Sequence, residues 1–352
     1  MGVTLKELAA SLNLSPTTVS RALNGYPEVN AKTRKRVRDA AERANYHPNT
    51  RARSLATGRT HAIGHVIALS DSHEIVNPVF ADFIAGAGEA YSRAGYEMVL
   101  SMVPDSDEAQ AYRDMIARGA VDGMIVHGPK LNDPRIALLT QLGVPFVVHG
   151  RSSGVDAPYS WLDINNNRSF RRATEFLLQL GHRRIALVNG LENMDFAMRR
   201  RNGYLQALHE AGLTPDPALM RQAEMTEVFG HSAATELMRL PDPPTAFLSS
   251  SMLVAYGLRR ALVDQGCRMG RDVSVITHDD DLSYLPNGRD VPLFTATRSS
   301  VRDAGRKAAE MVLSLISAPG QGPLTCLMET TLIVGESTGP APGSRPRDTA
   351  RQ

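Results

Sequence analysis

Short polar side chains cluster on one face of a helix that is predicted to begin at Pro16. Val19, Ala22 and Leu23 give this helix an apolar face at helical spacing. The other face carries hydroxyl, amide and guanidinium groups, from Thr17, Thr18, Ser20, Arg21 and Asn24. Such groups hydrogen-bond to base edges or phosphate oxygens of duplex DNA, and an arginine can hold guanine with two hydrogen bonds. The first candidate site is therefore a nucleic-acid-binding face.

A second polar cluster follows the apolar run DVSVIT and consists of His278, Asp279, Asp280 and Asp281. A carboxylate at the end of a strand can accept hydrogen bonds from two adjacent sugar hydroxyls, which makes Asp279 a candidate ligand-binding residue. The same cluster could form a divalent-metal or phosphohydrolase site, but that chemistry needs further ligands at spaced positions, and the sequence offers none. A loop of solvated aspartates is the remaining interpretation, and it suits Asp281 best.

Helix-capping patterns position the first cluster. Thr4 and Glu7 form a Thr-x-x-Glu capping box, which predicts the start of a first helix. Asn13 is a predicted left-handed stop, and Ser15 before Pro16 is an N-cap with proline at the first helical position. A third helix, over residues 31–44, is predicted to turn basic side chains outward: Lys32, Arg34, Lys35, Arg36 and Arg38. Three such helices are typical of a helix-turn-helix DNA-binding head.

The charge of the chain is concentrated at the same end. Residues 1–60 hold 11 Lys and Arg against 4 Asp and Glu, whereas the remainder holds 28 against 33. The head is therefore net +7 and the rest net −5. A basic head attached to an acidic body favours a duplex-DNA partner, with binding that weakens as salt rises. A solvated charged face on an ordinary helical cap is the alternative.

From His61 onward, apolar runs alternate with amphipathic helix patterns. Nine runs are predicted strands: AIGHVIAL, YEMVLSM, GMIVH, PFVVH, RIALVNG, TAFLS, DVSVIT, LFTAT and TTLIV. This alternation predicts an α/β body with parallel sheets, and nine strands fit two Rossmann-like lobes, with a ligand cleft between them. Gly86 and Gly88 lie inside a predicted helix, so they indicate close helix packing rather than a phosphate-binding loop. An enzyme is therefore not predicted.

Three segments resemble the LacI/GalR family of transcriptional regulators: VTLKELAASLNLSPTTVSRALNG, VNAKTRKRVRDAAERANYHPN and ARSLATGRTHAIG. The resemblance continues at lower similarity to about residue 338, and it implies a body of the periplasmic-binding-protein type. It divides the chain into a helix-turn-helix domain (residues 1–48), a hinge helix (49–60), an effector-binding and dimerisation domain (61–338) and a tail (339–352). Within the body, residues 62–161 with 292–320 are expected to form the lobe nearer DNA, and residues 162–291 with 321–338 the other lobe.

In this family the second helix enters the major groove, which assigns Thr17, Thr18 and Arg21 to base reading. A hinge leucine wedges into the minor groove at the operator centre, and Leu55 stands at that position. Pro16 departs from the family because many relatives place a base-contacting side chain there, so the operator sequence cannot be borrowed from them. The remaining expected DNA-contacting residues are Thr4, Ser15, Ser20, Asn24, Thr33, Asn49 and Ala52.

The resemblance also implies effector-binding positions. Arg200 stands where relatives keep an effector-facing arginine, while Arg199 and Arg201 are expected to be surface charges. For Phe80, effector contact and packing in the core are equally expected. The full expected set is Asn77, Phe80, Phe196, Arg200, Ser251 and Asp279.

Several body positions depart from the family pattern. Relatives usually have Asp-Asn where this chain has Asn165 and Asn166, with Asp163 two residues earlier. Ser251 replaces an amide, Met252 an acid and Met225 an aromatic residue. The lobe farther from DNA (the far lobe) is therefore expected to be less acidic and less aromatic at the cleft. The family resemblance alone makes a sugar the expected effector, and it favours the α-glucoside and maltose branch. A non-sugar metabolite is the alternative, and a sugar-binding protein without a transcriptional role is the alternative from another class.

Composition excludes several other classes. No apolar run is long enough to span a membrane, and the N-terminus has no signal-peptide core, so a cytoplasmic protein is expected. Cys267 and Cys326 lack metal-site spacing and are expected to be reduced core residues, and neither a metal nor a cofactor is expected. Each head would read half a site, so a homodimer is expected on double-stranded DNA. The Gly- and Pro-rich tail is expected to be disordered.

Overall fold

The computed structural model describes residues 3–23, 26–46, 59–68, 78–278 and 281–343. The chain divides into two compact units, a head that ends at His61 and a body that begins at Ala62. Within the described residues, no helix is both long and apolar enough to cross a membrane.

The described residues of the head form three short helices: α1 (Leu5–Ser11), α2 (Pro16–Leu23) and α3 (Ala31–Arg43). The predicted capping box is confirmed, since Glu7 N donates to the Thr4 hydroxyl and Thr4 N donates to the Glu7 carboxylate at 2.7 Å. Asn13 has a φ of +53°, as a left-handed stop requires. Apolar side chains from all three helices meet in one core that includes Leu8, Val19 and Val37.

One predicted outward residue of α3 has a structural role instead. The Arg36 guanidinium donates to Leu12 O at 2.9 Å, although the side chain stays exposed. Leu12 is the C-cap of α1, so its carbonyl has no partner within that helix. Arg36 therefore braces the turn between α1 and α2.

The first sheet of the body has the strand order β11-β5-β4-β3-β1-β2, and all of its pairs are parallel. Its strands are β1 (Ala62–Ala68), β2 (Glu97–Val103), β3 (Gly123–Val126), β4 (Phe146–His149), β5 (Trp161–Ile164) and β11 (Thr325–Met328). In the part of the chain that the structure describes, four helices accompany it: α4 (Pro78–Ala94), α5 (Glu108–Ala117), α6 (Pro134–Leu142) and α11 (Val301–Ser317).

The second sheet has the order β12-β10-β9-β8-β6-β7, and its edge strand β12 runs antiparallel to β10. Its strands are β6 (Ile185–Asn189), β7 (Met220–Gln222), β8 (Ala246–Ser249), β9 (Ser274–His278), β10 (Thr295–Arg298) and β12 (Thr331–Ile333). Its helices are α7 (Asn166–Gln179), α8 (Asp195–Glu210), α9 (Glu227–Leu237) and α10 (Met252–Asp264). Two Rossmann-like lobes, one with a parallel sheet and one with a sheet that is parallel except for its edge strand β12, confirm the predicted fold class.

The chain passes between lobes later than the sequence predicted. Strands β5 and β11 belong to the first sheet, and β10 belongs to the second, so the crossovers lie near residues 165, 299 and 329. The expected lobe boundaries at residues 161, 291 and 320 are therefore wrong. The physical reason is that each crossover leaves from the carboxyl end of a strand, so the strand stays with the lobe in which it begins.

Helix packing explains one of the two glycines in α4. A Cβ on Gly86 would lie 1.9 Å from Arg302 O of α11, so only glycine permits this approach. Gly88 is different, because a Cβ there would meet nothing nearer than Met98 Cε at 4.0 Å. Close packing is confirmed for Gly86 and not for Gly88.

The start of the expected disordered tail is packed on the second lobe. His182 Nε2 lies 3.1 Å from Gly339 O, and Ala341 N donates to Leu180 O at 2.9 Å. Residues 339–341 are thus ordered, while residues 344–352 lie outside the described part of the chain. Cys267 and Cys326 are both unpaired, as expected, but they are half-buried rather than core residues.

Candidate functional site

The polar face of α2 is open to solvent. Pro16, Thr17 and Arg21 are exposed, and Thr18 is half-buried, while Val19 and Ala22 are fully buried on the opposite side. The amphipathic division that the sequence predicted therefore presents hydroxyl and guanidinium groups together. These groups suit hydrogen bonds to base edges.

Three other expected DNA-contacting residues lie at helix starts. The Ser15 hydroxyl accepts from Thr18 N at 3.1 Å, and the Thr4 hydroxyl accepts from Glu7 N. Thr33 N donates to the Asn30 side chain at 2.8 Å, which caps α3. Backbone amides and helix starts of this kind commonly contact phosphates. Outside the described residues lie Asn24, Asn49, Ala52, Leu55, Asn77 and Asp279.

A cleft with a cavity volume of 240 Å³ lies between the two lobes of the body. Both sheets present the carboxyl ends of their strands to it, as the strand–helix alternation predicted. Of the described effector candidates, Phe80, Phe196, Arg200 and Ser251 all line this cavity. Sequence reasoning did not propose several other lining residues, which are His127, His149, Asp163, Asn166, Glu224 and Ser250.

Arg200 is buried at the far-lobe wall and held in a fixed orientation. Its Nε donates to Asn166 Oδ1 at 2.7 Å, and one terminal nitrogen donates to Ser250 O at 2.8 Å. The guanidinium also lies 4.8 Å from the ring centre of Phe196 and 5.3 Å from that of Phe170. A planar cation stacked on aromatic rings is preorganised for hydrogen bonding to ligand oxygens.

Asp163 supplies the carboxylate that the Asn165–Asn166 pair lacks. Arg151 donates to it at 2.7 Å, and Asn166 Nδ2 lies 3.4 Å from its other oxygen. Burial raises the pKa of Asp163, while the Arg151 guanidinium opposes that rise. Glu224 adds a second carboxyl to the wall, on the second lobe, which the sequence predicted to be less acidic. A strongly buried carboxyl in a cleft is a common mark of a binding site.

On the far lobe, the sequence predicted Ser251 as an effector-binding residue, but its neighbour Ser250 has the available hydroxyl. Ser251 is the N-cap of α10, and its hydroxyl accepts from Val254 N at 3.3 Å. Ser250 is 1% exposed, and its hydroxyl has no hydrogen-bond partner within the described ranges. Met252 begins α10 inside the hydrophobic core, so it does not take part in the cleft. Ser250 is therefore the better ligand-binding candidate of the two serines.

Beside the cleft, the two lobes are joined by a buried carboxylate. Asp195 of α8 is fully buried and accepts from Ser153 N of the other lobe at 2.6 Å. Arg199 pairs with Asp195 and donates to the Ser153 hydroxyl at 3.0 Å. A backbone hydrogen bond also joins the two lobes here, since Asp195 N donates to Pro129 O at 3.1 Å. Arg199 is therefore part of an interlobe network, and its expected role as a surface charge is wrong.

Comparisons with known proteins match almost the whole chain. Residues 4–49 match the family described as "Bacterial regulatory proteins, lacI family", and residues 60–333 match "Periplasmic binding proteins and sugar binding domain of LacI family". The chain is 44% identical to the HTH-type transcriptional regulator AglR of Rhizobium meliloti (strain 1021), over 98% of this chain and 97% of that protein. It is 36% identical to the HTH-type transcriptional regulator RafR of Escherichia coli, over 90% and 92%. A solved structure, the "transcriptional regulator CelR-cellobiose complex", covers 95% of this chain and 99% of its own, with 31% identity and a TM-score of 0.71.

Proposed function

This chain belongs to the LacI family of bacterial regulatory proteins, and we propose that it regulates carbohydrate-utilisation genes in response to a small sugar. The observation that carries the proposal is the presence in one chain of an exposed polar helix face and a cleft lined by aromatic rings and hydrogen-bonding groups. Members of this family are DNA-binding regulators, so the chain is not an enzyme.

The DNA-binding half of the proposal rests on α2. Thr17, Thr18 and Arg21 would contact base edges in the major groove, with Arg21 placed to hold a guanine. Leu55 would enter the minor groove when the hinge pairs with its copy on DNA. Because each head reads half of a site, the working unit is a homodimer on two-fold operator DNA, acting in the cytoplasm as a repressor.

The sugar half rests on the chemistry of the cleft wall. Sugars present flat apolar faces and many hydroxyls, which suit Phe80 and Phe196 for stacking and Arg200 and Asp163 for hydrogen bonds. The solved relative that is described as a cellobiose complex supports a sugar of this size. Within that class we propose an α-glucoside, following the resemblance to the maltose branch, with Asp279 binding adjacent hydroxyls.

Coupling between the two halves would pass through the lobe crossovers. Asn165 caps α7, and its amide donates to the Glu329 carboxylate at 2.9 Å, which ties the first crossover to the third. A sugar held by both lobes would favour one interlobe angle, and with it one arrangement of the hinges. The coupling is reciprocal, so DNA must change sugar affinity by the same factor.

Fluorescence anisotropy on labelled duplex from the gene's own upstream region tests the proposal. We expect tight, salt-sensitive binding that changes in the presence of maltose, sucrose or cellobiose. Arg21→Ala should lose DNA binding and keep sugar binding, whereas Arg200→Met should do the reverse. Failure to bind this DNA at any salt or sugar concentration would refute the proposal.

A further inference from the structure

A second buried carboxylate joins the two lobes of the body. Asp82 of α4, in the first lobe, is 6% exposed and accepts from Ser283 N at 2.7 Å. Ser283 lies between β9 and β10, in a loop that Asn287 fixes to the second lobe through two hydrogen bonds with the Phe294 backbone. The Arg302 guanidinium donates to the Ser283 hydroxyl at 3.4 Å. We call Asp82, Ser283 and Arg302 the first clasp.

The network around Asp195 has the same composition, and we call Asp195, Ser153 and Arg199 the second clasp. The Asp195 carboxylate accepts from Ser153 N, and Arg199 donates to the Ser153 hydroxyl. Here the aspartate belongs to the second lobe and the serine to the first, so the two clasps are reciprocal. In each clasp a buried carboxylate of one lobe accepts a hydrogen bond from a backbone amide of the other.

The two clasps occupy equivalent places in the two lobes. The sheets have the same strand order, in which β1 corresponds to β6 and β4 to β9. Asp82 is on α4, which follows β1 in the chain, and Asp195 is on α8, which follows β6. Ser153 lies four residues after the end of β4, and Ser283 five residues after the end of β9. The repeated topology therefore carries the same interlobe contact twice.

Both clasps lie directly beside the wall of the cleft. Asp82 stands between Phe80 and Phe83 in the sequence, and Asp195 follows Met194, and these three neighbours line the cavity. Each clasp therefore holds a segment of the wall against the facing lobe. A hydrogen bond from a backbone amide to a buried carboxylate is among the stronger contacts in a protein. Separating the lobes removes this acceptor from each serine amide.

The first clasp is the weaker of the two. Ser283 is exposed and the Arg302 side chain is 45% exposed, so water competes for their hydrogen bonds. In the second clasp the Arg199 side chain is 23% exposed. A backbone hydrogen bond from Leu131 N to Asn193 O, at 3.1 Å, reinforces the second clasp across the same junction. We therefore expect the second clasp to contribute more to holding the lobes together.

We propose that the two clasps act together to hold the lobes closed, and that they set how often the empty cleft opens. Asp82 and Asp195 are then positioning residues for the effector, which they do not touch. Because both clasps resist the same motion, weakening one makes the other open more often. This inference rests on the proposed function in one respect, since it takes the cleft as the effector site. A sugar held by both lobes would add to the closing effect of the clasps.

Hydrogen exchange of the two serine amides tests the coupling without any ligand. Mass spectrometry on overlapping peptides of the full chain follows each amide, and each variant is read at the clasp that it leaves intact. Asp195→Ala should speed exchange at Ser283 N about 10-fold, as expected for the loss of one hydrogen bond to a charged group. Asp82→Ala should speed exchange at Ser153 N about 3-fold, because the first clasp is more exposed. A wild-type rate at the intact clasp, in either variant, would overturn the inference.

Two controls separate opening of the cleft from general loss of stability. Asp264→Ala removes an exposed aspartate of the second lobe, and it should leave both serine amides at their wild-type rates. The amides of β6 report global unfolding, since every residue of that strand is buried. A rise at the clasps that only equals the rise at β6 would overturn the inference. Asp82→Asn and Asp195→Asn keep an acceptor and the side-chain shape, so they replace an alanine variant that does not fold, with smaller rises expected.

Maltose, sucrose and cellobiose test the link to the effector on the wild-type protein. A sugar that binds only the closed cleft should slow exchange at both serine amides about 100-fold when its concentration is about 100 times its dissociation constant. A sugar that binds in calorimetric titration and slows neither amide would overturn the link between the clasps and the effector. If no sugar binds while the two amides respond together in the variants, the sugar effector is refuted and the coupled clasps stand, so the two failures are distinguishable.

Discussion

Replacing Asp195 with alanine should destabilise the body of the protein more than any exposed carboxylate does. The Asp195 carboxylate is fully buried, accepts from Ser153 N at 2.6 Å and pairs with Arg199. Alanine would leave the Ser153 amide without its acceptor and the guanidinium without its counter-charge. Since these partners come from both lobes, the loss also loosens the junction beside the cleft.

The magnitude follows from the burial of each partner. The residue Ser153 is half-buried, so an amide left there without its acceptor costs about 1 kcal/mol, the lower end for such groups, while breaking a fully buried ion pair costs about 3–5 kcal/mol. The Arg199 side chain is 23% exposed, so it can turn toward water and recover part of the second cost. We therefore expect about 2–4 kcal/mol for Asp195→Ala. Asp195→Asn keeps an acceptor for the Ser153 amide and should cost about half as much.

Urea unfolding followed by circular dichroism measures this difference as a shift in the midpoint of the body's transition. Asp264→Ala is the matched control, because Asp264 also pairs with a basic side chain, that of His231, but its own side chain is 58% exposed. That control should unfold with the wild type. If Asp195→Ala and Asp264→Ala had the same midpoint, the interlobe network would not stabilise the body.

Three further outcomes follow from the geometry. Acid should destabilise the body between pH 6.5 and about 4. Burial keeps the pKa of His149 at about 4 and lowers the pKa values of His65 and His127, so these histidines bind protons in that window only when the protein is unfolded. Unfolding free energy thus rises with pH in that window, by about 1.4 kcal/mol per pH unit for each such histidine, and denaturant titrations should show a smaller slope in His149→Gln. Gly86→Ala should lower the free energy of unfolding by about 1–3 kcal/mol, whereas Gly88→Ala on the same helix should raise it by about 0.5–1 kcal/mol. Equal effects in the two variants would contradict the close approach of Gly86 to Arg302. Arg21→Ala should weaken binding to the operator about 10- to 100-fold in anisotropy titrations but hardly affect an unrelated duplex, and a uniform loss on both would show that Arg21 contacts phosphate instead.

Local patterns were sufficient for the head because its helices are specified by neighbouring residues. The capping box at Thr4, the stop at Asn13 and the cap at Ser15 each depend on contacts within three residues along the chain. All nine predicted strands of the body are present, because each forms a short apolar run, which is continuous in the buried parallel strands such as β3, β6 and β8. The missed strands lack that signal: Asp163 interrupts β5, β7 is largely polar, and the residues of the edge strand β11 are exposed or half-buried.

The wall of the cleft could be predicted only where the family resemblance supplied positions. Phe80, Phe196 and Arg200 were identified in that way. Asp163, Ser250, His127 and His149 come from separate strand ends that meet only after both lobes have folded. The same limit applies to Arg199, whose partner on the facing lobe is 46 residues away in sequence.

The central claim is that one chain couples operator DNA to a sugar in the cleft. The most direct test measures the DNA dissociation constant with and without saturating sugar, and the sugar dissociation constant with and without saturating operator, on the same full-length protein. Both ratios should differ from one and should equal each other, because the coupling free energy is shared. A DNA affinity that does not change at saturating sugar would contradict the account.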